Sequence, residues 1–227
     1  MFNKLNTSIC ILCHANTQQA LCLCTNCLND LPSIKNCCSQ CGNTLPAEVA
    51  DLCGSCQANP PPIDKTFSLF HYKTPIDHLI KQLKFKHSFV TADLLGKLMA
   101  EAIIQRGITL PEAIIPTPLH YKRLRMRGYN QSIEIAKPLA KHLKLPLLNT
   151  DLIRNKHIRP QTECSAKERR RNLRNNFICR TPLSYATIAV VDDVITTGTT
   201  VNEIAKTLKK KGVKEVYAWS CAHSSML

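Results

Sequence analysis

Two adjacent carboxylates followed by a run of threonines are the most chemically suggestive feature of this 227-residue chain. Residues Ile188–Val201 read IAVVDDVITTGTTV: an apolar strand, Asp192 and Asp193, a turn through Thr196, Thr197, Gly198, Thr199 and Thr200, then a helix. Turn amides, hydroxyls and a helix N-terminus converge on one spot, and that arrangement suits a phosphate. The paired acids would repel a phosphate if they pointed at it. They are better placed to accept hydrogen bonds from vicinal hydroxyls or to hold a hydrated metal. A ligand with a phosphate on one side and a diol on the other is a ribose 5-phosphate. A helix start capped by threonines behind an acidic loop would give a similar string, whereas a Walker A loop is disfavoured because no Gly-Lys-Thr/Ser follows.

A second constellation lies at the other end of the chain. Of 13 cysteines, ten fall in the first 56 residues. Four pairs have C-x-x-C spacing: Cys10/Cys13, Cys24/Cys27, Cys38/Cys41 and Cys53/Cys56. Two residues between thiols let a tight turn present both sulfurs to one tetrahedral Zn²⁺. Eight thiols supply two closed Cys₄ sites, and closed sites are structural, not catalytic. A single zinc with incidental cysteines and a disulfide framework are the alternatives. Cys22 and Cys37 are spare, each near a proposed ligand, and the spacing leaves open both their substitution for Cys24 or Cys38 and an interleaved pairing.

These residues need a scaffold. Gln57–Ile63 (QANPPPI) is polar and proline-rich and reads as a spacer, so the chain divides into a cysteine-rich domain at 1–58 and a second domain at 59–227. In the second, Thr66–Tyr72, Ala113–Ile115, Thr187–Val191 and Val216–Cys221 are strand patterns. Helical spacing runs from Pro75, through Phe89–Ile104, through Ser132–Leu143 with Pro138 as a kink, and through Glu203–Lys211 before Gly212. Strands alternating with helices predict an α/β fold with a mostly parallel sheet, whose ligands bind beyond the carboxyl ends of the strands.

The segment around Asp192 resembles the phosphoribosyl pyrophosphate (PRPP) binding motif of type I phosphoribosyltransferases. That resemblance implies a type I phosphoribosyltransferase-like sheet flanked by helices. It also implies that Asp192 and Asp193 serve as catalytic residues on the ribose hydroxyls, while Thr196, Thr197, Gly198, Thr199 and Thr200 hold the 5′-phosphate. Pro116-Thr117-Pro118-Leu119-His120 occupies the place of the pyrophosphate loop, making Thr117, Pro118 and Leu119 PRPP contacts, with Mg²⁺ riding on the pyrophosphate. For His120 itself an ordinary exposed histidine is the favoured reading. A loop that closes over PRPP belongs at Asn155–Lys167.

The whole chain resembles the ComF competence family, which pairs a zinc module with a phosphoribosyltransferase domain. The residues that carry the likeness are the CxxC pairs, Leu83-Lys84-Phe85, Pro118-Leu119, the Arg123-x-Arg125-x-Arg127-Gly128-Tyr129-Asn130-Gln131 string, Arg154, Gln161-Thr162, Ser165, Arg169-Arg170-Arg171-Asn172-Leu173, Phe177 and VVDDVITTGTT. Cys164 departs from the family's usual Leu. The family implies a role in DNA uptake and binding of single-stranded DNA, with other DNA-uptake proteins as partners, and pentosyl transfer to an unspecified acceptor.

Charge agrees with an anionic ligand. The net charge is +14, yet residues 1–60 sum to −1, so the excess belongs to the second domain. Residues 120–180 alone carry sixteen basic and four acidic side chains. One PRPP does not need sixteen cations, so the surplus suits a nucleic-acid backbone, with Tyr129, Tyr121 or Phe85 as stacking platforms. Arg123, Arg127, Tyr129, Gln161 and Arg169 are the expected nucleic-acid or pyrophosphate contacts. A merely solvated basic face is the plainer reading, as is Tyr129 or Phe85 as a core aromatic. No apolar run reaches membrane-spanning length and no secretory signal is evident, so a cytoplasmic protein is expected. Two functions follow: a Mg²⁺- and PRPP-dependent pentosyltransferase, or a binding module that uses PRPP as a regulator or not at all.

Overall fold

A computed structural model describes residues 8–19, 21–47, 51–154 and 176–224. Gln161, Arg169 and the expected closing loop at 155–167 lie outside the described residues. Four strands form the central sheet: β3 (Lys65–His71), β4 (Ala113–Pro116), β7 (Thr187–Ile195) and β8 (Glu215–His223). Their order is β3-β8-β7-β4, and every pair is parallel. The α/β expectation is met, because parallel strands joined by helices must be covered on both faces.

Alternation along the strands separates two cores. Phe67, Leu69, Ala189, Val191, Tyr217, Trp219 and Cys221 face helices α3 (Ile76–Phe85), α4 (Phe89–Gln105) and α6 (Gln131–Leu143). Ile115, Ile188, Val190, Val216 and Ala218 face α7 (Thr199–Lys209), through Val201, Ile204, Ala205 and Leu208. α4 and α6 cross closely at Gly96, where a Cβ would lie 2.5 Å from the Ile135 carbonyl and from Pro138 Cγ. Pro138 sits inside α6 without ending it.

Two short knuckles shape the cysteine-rich part. In the first, Cys10 N–H donates to Ala15 O and His14 N–H to Cys10 O; in the second, Cys38 N–H donates to Asn43 O and Gly42 N–H to Cys38 O. The fifth residue of each is left-handed, with φ of 61° at His14 and 79° at Gly42. β1 (Ser8–Ile9) and β2 (Asn16–Thr17) pair across the first; Cys24 and Cys53 are the N-caps of α1 (Thr25–Asn29) and α2 (Gly54–Ala58), which carry Cys27 and Cys56. This part is not a free appendage. His71 N–H donates to Pro32 O and Ile34 N–H to Leu69 O, so the segment around Ser33 covers the outer edge of β3. Cys10, Leu23 and Leu31 join the core on the α3/α4 face.

Two features differ from the sequence expectation. The last helix begins at Thr199, not Glu203, because Gly198 adopts φ 68° as its N-cap and lets the chain turn at once. A helix, α5 (Tyr121–Arg127), forms where no apolar period announces one; the His120 ring accepts from Lys122 N–H and left-handed Gly128 stops it. β5 (Leu152–Arg154) and β6 (Phe177–Cys179) pair antiparallel as a separate ribbon.

Candidate functional site

Asp192 and Asp193 lie near the carboxyl end of β7, inside the strand and not after it. Asp193 is buried, 4 % exposed, and its Oδ2 lies 2.5 Å from the Lys84 ammonium at the end of α3. Asp192 is half-buried, and its Oδ1 accepts from Ser132 Oγ–H at 2.9 Å and from Asp193 N–H at 2.9 Å. Burial, then the neighbouring Asp193 charge, push the Asp192 carboxyl up, while Ser132 and the amide hold it down. The Asp192 carboxyl is therefore held above the usual carboxylate range until a donor or cation arrives.

Both acids line a cleft of about 290 Å³. Thr196 and Thr200 line it too, together with Lys84, Arg123, Arg127 and Arg154, and with Thr117 and Gln131. Burial and the nearby Arg123 lower the Arg154 pKa, and the Asp192 charge opposes them. A smaller recess of about 40 Å³ adjoins, shared by Asp192 and Thr196 to Val201. The Thr197 and Thr199 hydroxyls are paired at 2.7 Å. The first amides of α7 have no intrahelical acceptor, so they supply the positive end of a helix there. The threonine turn is exposed or half-exposed and borders the cleft.

The Arg127–Gln131 string contributes Arg127 and Gln131 to the cleft's lining. Arg127 Nη1 donates to Gln131 Oε1 at 3.1 Å, and its guanidinium stacks over Phe85 at 5.3 Å. Gly128 ends α5 in the left-handed region. Asn130 caps α6, accepting from Ser132 N–H, and its Nδ2 donates to Thr117 O at 2.9 Å. One side chain thus ties α6 to the turn after β4. Thr117 N–H donates to Val191 O at 2.8 Å, and Thr117 is 8 % exposed with a hydroxyl that has no partner among the described residues. The Arg127 Nε is likewise buried and unpartnered. Both residues line the cleft, and a buried donor without a partner is the exception in folded proteins.

Not every expected residue joins this cleft. Pro118, Leu119 and Tyr129 line a neighbouring groove of about 610 Å³ with Tyr121 and Leu124, which shares Arg154 with the cleft. Tyr129 packs against His87 and Phe89, with ring centres 5.1 and 5.4 Å apart. Lys84, Gln131 and Arg154 stand in the cleft although the sequence marked them only by resemblance, and Ser132 carried no signal at all.

The cysteines gather as two sets, Cys10, Cys13, Cys24 and Cys27, and Cys38, Cys41, Cys53 and Cys56. Pairing is therefore sequential, and Cys22 and Cys37 stay outside both sets. Within each set all sulfurs lie within 4.8 Å of one another, and Cys13–Cys24 and Cys41–Cys53 are 3.7 Å apart. A tetrahedron with Zn–S bonds of about 2.3 Å needs edges of about 3.8 Å, so the geometry fits. Burial raises the Cys10 and Cys38 thiols, but backbone amides outweigh it and bring them to about 6 and about 7. Neighbouring thiols push Cys27 up, and burial followed by the same neighbours pushes Cys56 up. One thiolate forms easily in each set and opposes the rest, a conflict that a dication resolves. The sites are compatible with two structural zinc ions.

No family model matches the chain. It is 39% identical over 223 residues to Competence protein F of Haemophilus influenzae, covering 95% of this chain and 96% of the relative. The DNA utilization protein YhgH of Escherichia coli K12 is 35% identical over 202 residues, 87% of this chain and 88% of its own. Competence protein ComFC of Streptococcus pneumoniae is 23% identical over 201 residues, 88% and 86%. A solved hypoxanthine phosphoribosyl transferase of Trypanosoma cruzi overlays 64% of each chain at 10% identity, with a TM-score of 0.34.

Proposed function

The chain belongs to the ComF competence family, and from that membership we propose that it binds PRPP with Mg²⁺ in the Asp192/Asp193 cleft and handles single-stranded DNA on the basic face beside it. One observation carries the proposal: a single cleft lined by two carboxylates, by threonines of the turn that opens α7 and by four cationic side chains. A pentose with a 5′-phosphate and a 1-pyrophosphate matches all three at once.

In this reading the diol donates to Asp192 and Asp193, and Ser132 and Lys84 hold those carboxylates in place. Thr196 to Thr200 and the first amides of α7 bind the 5′-phosphate. Thr117, Arg123, Arg127 and Arg154 face the pyrophosphate end, where fixed donors stabilise charge on a leaving group. Mg²⁺ on the pyrophosphate neutralises part of that charge and keeps most of its waters. For transfer, an acceptor's lone pair forms a bond to the anomeric carbon as the bond to pyrophosphate breaks. The N-terminal part, 1–58, holds two structural zinc ions, and 59–227 is the phosphoribosyltransferase-like domain. Eight thiols kept reduced for zinc suit the cytoplasm. Other DNA-uptake proteins are the expected partners.

A second reading, a non-catalytic module, rests on a different observation. Phe85, Phe89 and Met126 are exposed next to Lys86, Arg123 and Arg125, a stacking and charge pattern suited to a single strand. PRPP is then a regulator or is not used. Pyrophosphate release from PRPP, screened against nucleobases and oligonucleotides, supports the enzyme. Single-strand binding that persists in Asp192→Asn/Asp193→Asn without any pyrophosphate release by the unaltered protein supports the module.

A further inference from the structure

The second cysteine cluster sits beside the threonine turn, and hydrogen bonds from β3 and β8 dock it there. The carbonyls of its knuckle point at the sheet. Thr66 N–H donates to Ser39 O at 2.7 Å, Thr66 Oγ1–H donates to Gln40 O at 2.7 Å, and the His223 Nε2–H donates to Cys41 O at 3.2 Å. His223 is 1 % exposed, so its ring is held in place against the Cys41 carbonyl. It pairs in register with Ile195, and Ser224 N–H donates to Ile195 O at 2.9 Å. Thr196 follows Ile195 directly.

The approach is close. A Cβ on Gly42 would lie 2.8 Å from Thr66 Cγ2 and 3.0 Å from His223 Cδ2, and φ there is 79°. The equivalent residue of the first knuckle is His14, so the second one has glycine for docking as well as for the turn. Between knuckle and turn lies a cleft of about 260 Å³, with Gln40, Cys41 and Asn43 on one wall and Thr196, Thr197 and Gly198 on the other.

We infer that the Cys38–Cys41 knuckle is a positioning element for the phosphate turn: through Thr66 and His223 it fixes the end of β7 from which Thr196–Thr200 projects. The first cluster, which packs on the α3/α4 face, has no such role. This rests on Thr196–Thr200 being the 5′-phosphate site, and it goes further by giving one of the two zinc sites a task in ligand binding. Because the effect passes through packing and not through ligand contact, it belongs with couplings that shift affinity severalfold.

The test uses the full zinc-loaded chain with Thr66→Val and Gly42→Ala, and ribose 5-phosphate and Mg²⁺-pyrophosphate as separate probes. Thr66→Val removes one hydrogen bond at nearly constant shape, so it folds even if Gly42→Ala does not. The expected result is an unchanged zinc content, ribose 5-phosphate binding weakened roughly fivefold, and pyrophosphate binding within twofold of the unaltered protein. Hydrogen exchange at the amides of Thr196–Thr200 quickens in the same variants. Unchanged exchange and unchanged ribose 5-phosphate binding in Thr66→Val overturn the inference. Equal weakening of both probes also overturns it, since that marks general loosening. If the unaltered protein binds pyrophosphate but not ribose 5-phosphate, the phosphate-site assignment itself fails, and the inference with it.

Discussion

The ammonium of Lys84, at the end of α3, lies 2.5 Å from Oδ2 of Asp193, on β7. Among the described residues it is the acid pair's closest cation, and it joins a helix of one core face to the strand that carries the site. Lys84 is 22 % exposed at its side chain and Asp193 6 %. At that depth the loss of one partner costs more than the pair is worth, because a charge is left behind.

Lys84→Met should lower stability by about 2 kcal/mol, a melting-temperature drop of roughly 4–8 °C for a chain of this size. Adding Asp193→Asn should restore most of it. Thermal unfolding of the two single variants and the double variant checks this. A double variant as unstable as the sum of the singles would mean that the contact contributes nothing.

The raised pKa of Asp192 has a defined consequence for stability. The folded state favours the protonated carboxyl, so its contribution is most favourable below the unfolded value near 3.8 and worsens as pH rises toward about 7. Asp192→Asn keeps an acceptor for Ser132 and removes the titration. Its melting temperature relative to the unaltered protein should therefore rise by roughly 5–10 °C between pH 5 and pH 8. A pH-independent difference would show that the carboxyl titrates normally.

The two cysteine sets are separate in space, so their metals should be separable too. Cys38→Ser/Cys41→Ser should yield protein with one zinc in place of two, a sharply lower soluble yield and a lower melting temperature, because metal binding is folding free energy. Metal analysis of the purified variant is the readout. Two zinc ions and a normal yield would contradict the ligand assignment.

Strand binding on the face around Phe85 should follow charge and stacking separately. Arg125→Ala should weaken oligonucleotide binding and shrink the slope of log affinity against log salt by roughly 0.7, one phosphate contact's worth for a single strand. Phe85→Ala should weaken binding and leave the slope alone, though it also removes the platform on which Arg127 stacks. Filter binding across a salt series separates them.

Where residue type and spacing fix the physics locally, the sequence was legible. The CxxC pairs led to two Cys₄ sets because a knuckle is a local structure, and the apolar runs led to the parallel sheet because buried strands need them. Pairing of the cysteines stayed open until the chain's path was seen, since spacing alone permits interleaving. The cleft's cations were harder. Lys84, Arg123 and Arg154 come from α3, α5 and β5, and only the tertiary fold brings them to Asp192 and Asp193. Asn130 looks like any polar residue in the sequence, yet it caps α6 and holds the Thr117 turn. The start of α7 was misplaced because Gly198 reads as a loop residue while serving as the helix's N-cap.

Calorimetric titration of PRPP with Mg²⁺ into the zinc-loaded protein is the most direct test of the site. Saturable one-to-one binding between micromolar and millimolar concentrations, weakened at least tenfold in Asp192→Asn/Asp193→Asn, is the expected result, since each lost charged acceptor costs about 1.5–3 kcal/mol. A protein that carries both zinc ions, melts cooperatively and takes up no PRPP at millimolar concentration would contradict the account.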